Sequence, residues 1–291
     1  MTVTDKAAVA DQVQKYWAPL FSKELRASLM LGSLVSKEYQ GQIKKGGDRV
    51  RVSQLAKVAG QTRTIGTDAD VFTTDQLSTQ YIDITADKRF VAAVELEDIV
   101  DLQSQIEGQG SEVREALMYG MQEQINDYLY GLVAASTATP DHNIASVADF
   151  NAAALSANRV LAGQAKWPKG KPWYCLADPV YYGDMADDTT LSSADFNAAD
   201  PVIVSGEIAT KRYGFNVLED NALSADHALL FYEDFMHFVT QTEVQVKISD
   251  MHSDKRFGYV MSVDLIGGAK LGNDGDVKHI QVYNSAWAPI A

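Results

Sequence analysis

The chain has 291 residues, 46% of them hydrophobic and 22% charged, a composition that supports a packed core and excludes collagenous, disordered and coiled-coil classes. Its formal charge of -14 excludes tight gripping of nucleic acid, which needs many Lys and Arg contacts to displace counterions from phosphate, though such a surface can still enclose DNA. No secretory signal is expected where Asp5, Lys6 and Asp11 replace an apolar segment, and no membrane partner is expected because the most apolar run, Ala228 to Val239, is short and holds Glu233 and Asp234.

The first fifteen or so residues are polar and weakly periodic and read as an arm that orders only against another surface. Leu20, Phe21, Leu25 and Leu29 then recur at helical spacing, which predicts a short amphipathic helix ended by Gly32. After Gly46-Gly47 the period falls to two. Val50 and Val52 alternate with Arg49 and Arg51, Ile82 and Ile84 alternate with Asp83 and Thr85, and Lys57 to Asp75 between them is polar, so a long two-stranded arm is predicted. An isolated hairpin is at best marginally stable in water and needs a cover for its apolar face. The expected cover is another copy of the chain.

Val91 to Leu96 reads as a further strand, and Ser104-Gln105-Ile106-Glu107 has the form of a capping box that opens a long helix. Val113, Leu117, Met121, Ile125, Tyr128 and Leu132 carry its apolar stripe, with Gly108, Gly110 and Gly120 weakening it locally. Thr139-Pro140-Asp141 breaks the helix and opens a mixed lobe. There Val147, Leu155, Val160 and Leu161 suggest a helix, Trp173 to Leu176 a buried strand, Asp178-Pro179 a turn, and Val180 to Met185 a short helix. Cys175, the one cysteine, reads as a small buried strand residue and fits a reducing compartment. Gly206 to Leu218 and Ala228 to Val239 are strand-like runs; Val244 to Ile248, Phe257 to Ile266 and His279 to Tyr283 are closing strands expected to pack on the long helix.

Catalytic patterns are missing from this sequence. Gly163 to Lys171 ends in Gly-Lys, but Pro172 stands where a phosphate loop has Ser or Thr, and Gly108-Gln-Gly110 is followed by Val113 where a third glycine belongs. His142, His227, His237, His252 and His279 are scattered without metal-ligand spacing, and no Gly-x-Ser-x-Gly elbow occurs. His237, between Met236 and Phe238, reads as a satisfied core or interface residue. Accordingly no catalytic residue, cofactor or metal is expected.

Charge is unevenly placed. Between Lys37 and Arg63 seven cations face two acids, whereas between Glu95 and Asp127 nine acids face Arg114 alone. A contact between copies is therefore expected in which Arg49, Arg51, Lys57 and Arg63 of one arm meet Glu97, Asp98, Asp101, Glu112 and Glu115 of the next copy's helix region.

The colinear order of these elements resembles the major capsid proteins of tailed bacteriophages, which share the Hong Kong 97 fold. Trp17 through Lys45, with Leu25-Arg26-Ala27, Leu34-Val35 and Tyr39-Gln-Gly-Gln-Ile-Lys44, is similar to that family's N-terminal segment, and Gly47 to Val52 to the start of its extended loop. Asp98 to Ser136 resembles its spine helix, and Trp173 to Met185, with Ala177-Asp178-Pro179, its strand-Pro-helix step. Gly206 to Thr210 followed by Tyr213-Gly214-Phe215-Asn-Val217 is similar to a stretch of its axial domain.

This resemblance implies an α+β, Hong Kong 97-like capsid fold: an N-terminal arm and short helix over 1–45, an extended loop and its base over 46–96, a spine helix over 97–139, an axial domain over 140–234 and peripheral strands over 235–291. It implies hexamers and pentamers closing an icosahedral shell around double-stranded DNA, assembly in the host bacterial cytoplasm, residence in the virion, a portal protein and in some relatives decoration proteins. A separate scaffolding protein is expected, because too little chain precedes Trp17 to supply one. An encapsulin-like compartment shares the architecture and is the alternative; a soluble hydrolase is the reading from another class.

Overall fold

In a computed structural model of the chain, the residues described are 30–39, 42–43, 48–55, 58, 60–62, 74, 79–96, 110–137, 139–144, 150–192, 211–242, 244–250, 257–272 and 278–286. The helix predicted over Leu20 to Leu29, the capping box at Ser104 and the polar tip of the arm lie outside them, apart from isolated tip positions. Gly32 sits inside a short helix, α1 (Leu31–Leu34), which ends instead where Val35 turns to an extended ψ of 140°.

The arm forms as its alternation requires. β1 (Arg49–Leu55) pairs antiparallel with β2 (Thr79–Thr85), Val50 opposite Ile84 and Val52 opposite Ile82. One face of this ribbon is thus aliphatic and the other carries Arg49, Arg51, Tyr81 and Asp83. The expectation that another copy covers the aliphatic face is corrected at the arm's root: Val50, Ile82 and Ile84 are buried against Ile43 and Val239 of the same chain. Part of that cover, Val239, comes from far away in sequence, which local pattern does not reveal.

A second sheet has four strands. β3 (Lys88–Leu96) and β10 (Gln245–Asp250) flank the long β11 (Tyr259–Leu271), and β9 (Met236–Thr240) pairs with the far end of β11. One face of β3 and β11, with Phe90, Met261, Val263 and Leu265, is covered by the spine helix α2 (Gly110–Ser136), whose 27 residues would make a rod of about 40 Å at 1.5 Å per residue. The predicted stripe does the covering, with Leu117 and Met121 buried and Tyr128 against Phe90 at 5.5 Å.

The third sheet has six strands in the order β4-β12-β8-β5-β7-β6. They are β4 (His142–Asn143), β5 (Trp173–Ala177), β6 (Lys211–Arg212), β7 (Phe215–Glu219), β8 (Ala228–Tyr232) and β12 (His279–Tyr283). Its two central strands read as continuous apolar runs because both faces are covered. Cys175, Ala177, Ala228 and Leu230 face α3 (Ala152–Gln164) and α4 (Pro179–Asp187), while Leu176, Leu229 and Phe231 face the spine helix.

Three sequence expectations change here. Asp178-Pro179 is the start of α4, not a separate turn: the Asp178 carboxylate accepts from the amides of Val180 and Tyr181, and proline fills the first helical position. Val160 points outward from α3, whose buried face is Ala154, Leu155, Asn158 and Ala162. β12, expected among the peripheral strands, pairs with β8 and β4 in the six-stranded sheet. Correspondingly, the apolar run Ala228 to Val239 is divided, β8 in one sheet and β9 in another, with Glu233 to Phe235 between them. The final helix, α5 (Thr189–Ser192), follows α4 directly.

The arm's root crosses β11 at Gly268, where a Cβ would lie 1.9 Å from the Thr85 carbonyl oxygen. Only glycine admits this backbone approach. Gly268→Ala must displace the root, and overpacking of this kind costs about 3 kcal/mol. Chemical denaturation should register that loss, whereas Gly163→Ala, where a Cβ meets nothing within 4 Å, should leave the midpoint unchanged or raise it.

Candidate assembly surfaces

Side chains that carry chemistry are used structurally. Cys175 is fully buried and its thiol is pushed up to about 12 by desolvation, so it is inert at neutral pH. His142 Nδ1 meets Asn158 Oδ1 at 2.7 Å, and His279 Nε2 meets the Ser136 hydroxyl at 2.9 Å. His237 is buried edge-on to Tyr39, and burial holds its pKa below the ordinary value; its Nδ1 has no hydrogen-bond partner among the described residues. Among the described residues no three His, Cys, Asp or Glu side chains cluster as a metal site, and no helix is long and apolar enough to cross a membrane.

What remains are surfaces. On the arm, Arg51 donates two hydrogen bonds of 2.7 Å to the carboxylate of Asp83, its direct cross-strand partner, and its guanidinium lies 4.2 Å from the Tyr81 ring centre. Arg49 bonds Asp48 at 3.2 Å and approaches Asp83 at 3.9 Å. Sequence counting missed Asp83 because it lies 32 residues along the chain; hairpin register is the signal that finds it. Both arginines remain about half exposed, at 51% and 54% of their side chains.

Of the other residues expected at this contact, Glu115 is exposed on the spine helix and Glu112 lies in the same helix with its side chain outside the described set. Lys57, Arg63, Glu97, Asp98 and Asp101 lie outside the described residues altogether. Among the described residues, then, the two arm arginines converge on Asp83.

Two further surfaces were not anticipated. Across the four-stranded sheet Asp264 joins Arg89 at 2.6 Å and Lys247 at 3.0 Å, a ladder that ties three strands together. On its other face Val244, Val246 and Ile248 extend past the spine helix and stay exposed. Beside them a cleft of about 560 Å³ runs between α1, the spine helix and β9, lined by Met118, Ile125, Phe238 and Val244. Its walls are mainly apolar, and the only buried polar atom without a partner there is Asn126 Nδ2 among the described residues.

Asp83 and Asp264 have their carboxyl pKa values held below the usual aspartate range, first by hydrogen bonds from Arg51 and Arg89 respectively. A depressed folded-state pKa means that this support is present above the unfolded value and is lost as pH falls through the folded one. Asp83→Asn should therefore flatten the acid limb of a stability-versus-pH curve, read by denaturant titration between pH about 5 and about 2. An unchanged acid limb would show that the pair contributes nothing.

Comparison with known proteins identifies the family. A family model described as phage capsid protein matches residues 33–283. Among solved structures, one from Mycobacterium phage Che8 superposes with a TM-score of 0.76 at 17% identity, over 94% of this chain and 97% of that one. The capsid structure of cyanophage P-SCSP1u gives 0.73 at 17% identity, over 95% and 94%, and the capsid asymmetric unit of cyanophage Pam1 gives 0.72 at 13%, over 97% and 99%. A search of curated protein sequences returns no match. With residues 33–283 covered by one family and the α+β Hong Kong 97-like architecture matched over nearly its full length, the chain belongs to the phage capsid protein family and is a major capsid protein of the head shell.

Proposed function

We propose that the chain builds hexamers and pentamers that close an icosahedral shell around double-stranded DNA in the host bacterial cytoplasm, and that it has no catalytic role. In this reading the six-stranded sheet with α3 and α4 is the axial domain, the four-stranded sheet with the spine helix is the peripheral domain, and β1–β2 is the root of the extended loop. β12 then stitches the C-terminal segment into the axial sheet. The observation that carries it is a two-stranded ribbon with no third strand among the described residues, anchored at its root, in a chain of the capsid family. Portal, decoration and separate scaffolding proteins are proposed as partners in assembly.

Electron microscopy of particles recovered from infected cells tests this directly. DNA-filled icosahedral heads built of this chain, with one portal vertex, are the expected result; closed shells packed with enzymes would favour the encapsulin-like alternative. Uniform closed shells from the chain expressed alone would remove the scaffolding protein from the scheme.

The basic arm of one copy is proposed to lie over the acidic spine region of the next, with Arg49, Arg51, Lys57 and Arg63 toward Glu97, Asp98, Asp101, Glu112 and Glu115. Since Arg49 and Arg51 also hold Asp83 within the arm, reversing them would confound folding with assembly. Lys57→Glu with Arg63→Glu avoids that. The double variant should assemble less well and lose the salt sensitivity of the unaltered chain, measured by sedimentation at about 0.05 and about 0.5 M salt, where screening lengths differ severalfold. Assembly of the double variant that matches the unaltered chain at each salt concentration would discard the contact.

A further inference from the structure

At the end of the six-stranded sheet where β5 and β7 begin, four cations converge in a protein with 25 basic and 39 acidic residues. Arg159, Lys169, Lys171 and Lys211 line a pocket of about 240 Å³ whose other walls include Trp173 and Gly214. Several features make this a built surface. The Arg159 guanidinium stands 4.1 Å from the centre of the Trp173 ring, and that ring is fixed by burial and by its Nε1–H donating to the Pro168 carbonyl at 2.9 Å. The tight turn Tyr213-Gly214 joins β6 to β7 with φ of 48° and 90°, a hairpin turn that brings Lys211 to the rim. A Cβ at Gly214 would touch Arg159 Nε at 3.5 Å, so the bare glycine leaves room beside the guanidinium.

We infer that this pocket is a carboxylate-binding site that receives an acidic side chain from a neighbouring copy in the assembly. It rests on the reading of the chain as a self-assembling shell subunit and adds to it a specific surface. Lys171 donates to the carboxylate of Asp234, which lies outside this pocket, so its charge is already partly matched; Lys169 and Lys211 make no ion pair among the described residues. The shape favours a side chain over a DNA backbone, since duplex phosphates recur along a track and are met by a stripe of cations, whereas these four surround one small concavity. Charge favours it as well. With four cations gathered here, the rest of the chain taken together carries more negative charge than the total of -14, and in a shell neighbouring copies are held at contact distance. A pocket on one copy that meets a different patch on the next is the heterologous contact that ring closure requires.

Zero-length carbodiimide coupling, which joins an amine only to a carboxylate in direct contact, tests the assignment in the assemblies the full chain forms. Mixed assemblies of heavy-isotope-labelled and unlabelled chains separate links between copies from links within one. Lys169 or Lys211 should couple to an Asp or Glu of another copy, and Lys169→Glu with Lys211→Glu should lower the assembled fraction about tenfold at about 0.1 M salt while leaving the thermal midpoint of the dissociated subunit in place. Links confined to Lys171–Asp234 within one copy, together with unchanged assembly of the double variant, would overturn the proposal and leave the shell reading intact. Unchanged assembly with loss of duplex binding in a filter assay would replace the carboxylate with DNA phosphate. Failure of the unaltered chain to assemble at all would remove the shell reading and this one with it.

Discussion

One rod organises the molecule. The spine helix leans on the four-stranded sheet through Leu117, Met121 and Tyr128 and is linked to the six-stranded sheet near its C-terminal end through Tyr130 and Val133, so a single apolar cluster contains residues of both. An unbroken helix resists bending, because its backbone hydrogen bonds repeat at every residue. The two sheets are therefore fixed relative to one another by side chains on one straight element. Polar links reinforce the joint: the buried Tyr130 hydroxyl donates to Asp220 at 2.7 Å, and Gln281 Nε2 donates to the Val133 carbonyl at 2.8 Å. Tyr130 is held well above its ordinary pKa by burial and by the Asp220 charge, so the phenol keeps its proton and the link persists through the ordinary pH range.

Legibility followed the range of the interactions. The spine helix and the arm were readable because period 3.6 and period 2 are properties of neighbouring residues, and Leu117 through Leu132 and Val50 with Val52 display them plainly. The destinations of strands were not. Nothing local in Ala228 to Val239 says that β8 and β9 belong to different sheets, and nothing local in His279 to Tyr283 says that it pairs with β8 rather than β11. Val160 misled because in a helix rich in alanine the apolar stripe is carried by Ala154 and Ala162, small residues that a count of large side chains passes over.

The partners of charged side chains were not legible in the sequence. Counting charges along the chain predicts a basic arm, but it treats as unpaired two arginines that register places beside Asp83. The same limit hid the pocket of Arg159, Lys169, Lys171 and Lys211, whose members come from three separate stretches of sequence and meet only when β5 and β7 align in parallel. The family was nonetheless readable, since the order of elements survives where side-chain identity does not. At 17% identity the chain still superposes over 94% of its length, as expected where burial pattern and turn chemistry, rather than particular residues, specify a fold.

The arm's root changes what assembly has to supply. Had the whole ribbon lacked a cover, a neighbour would have had to order it from the start, at roughly 1–2 kcal/mol of backbone entropy for each residue fixed. Here Ile84 is fully buried, Val239 closes over it, and Gly268 lets the Thr85 backbone lie directly on β11, so direction and register are set within the subunit. Binding can then draw on a preformed lever, and preorganisation of this kind strengthens association mainly by reducing the ordering cost. It also explains why the arginine-bearing face stays outward while the aliphatic face turns in. With Val50, Ile82 and Ile84 committed to the body, what the root offers a neighbour is polar, charged and aromatic: Arg49, Arg51 and Tyr81. A surface of this kind suits control of register and partner choice more than raw affinity.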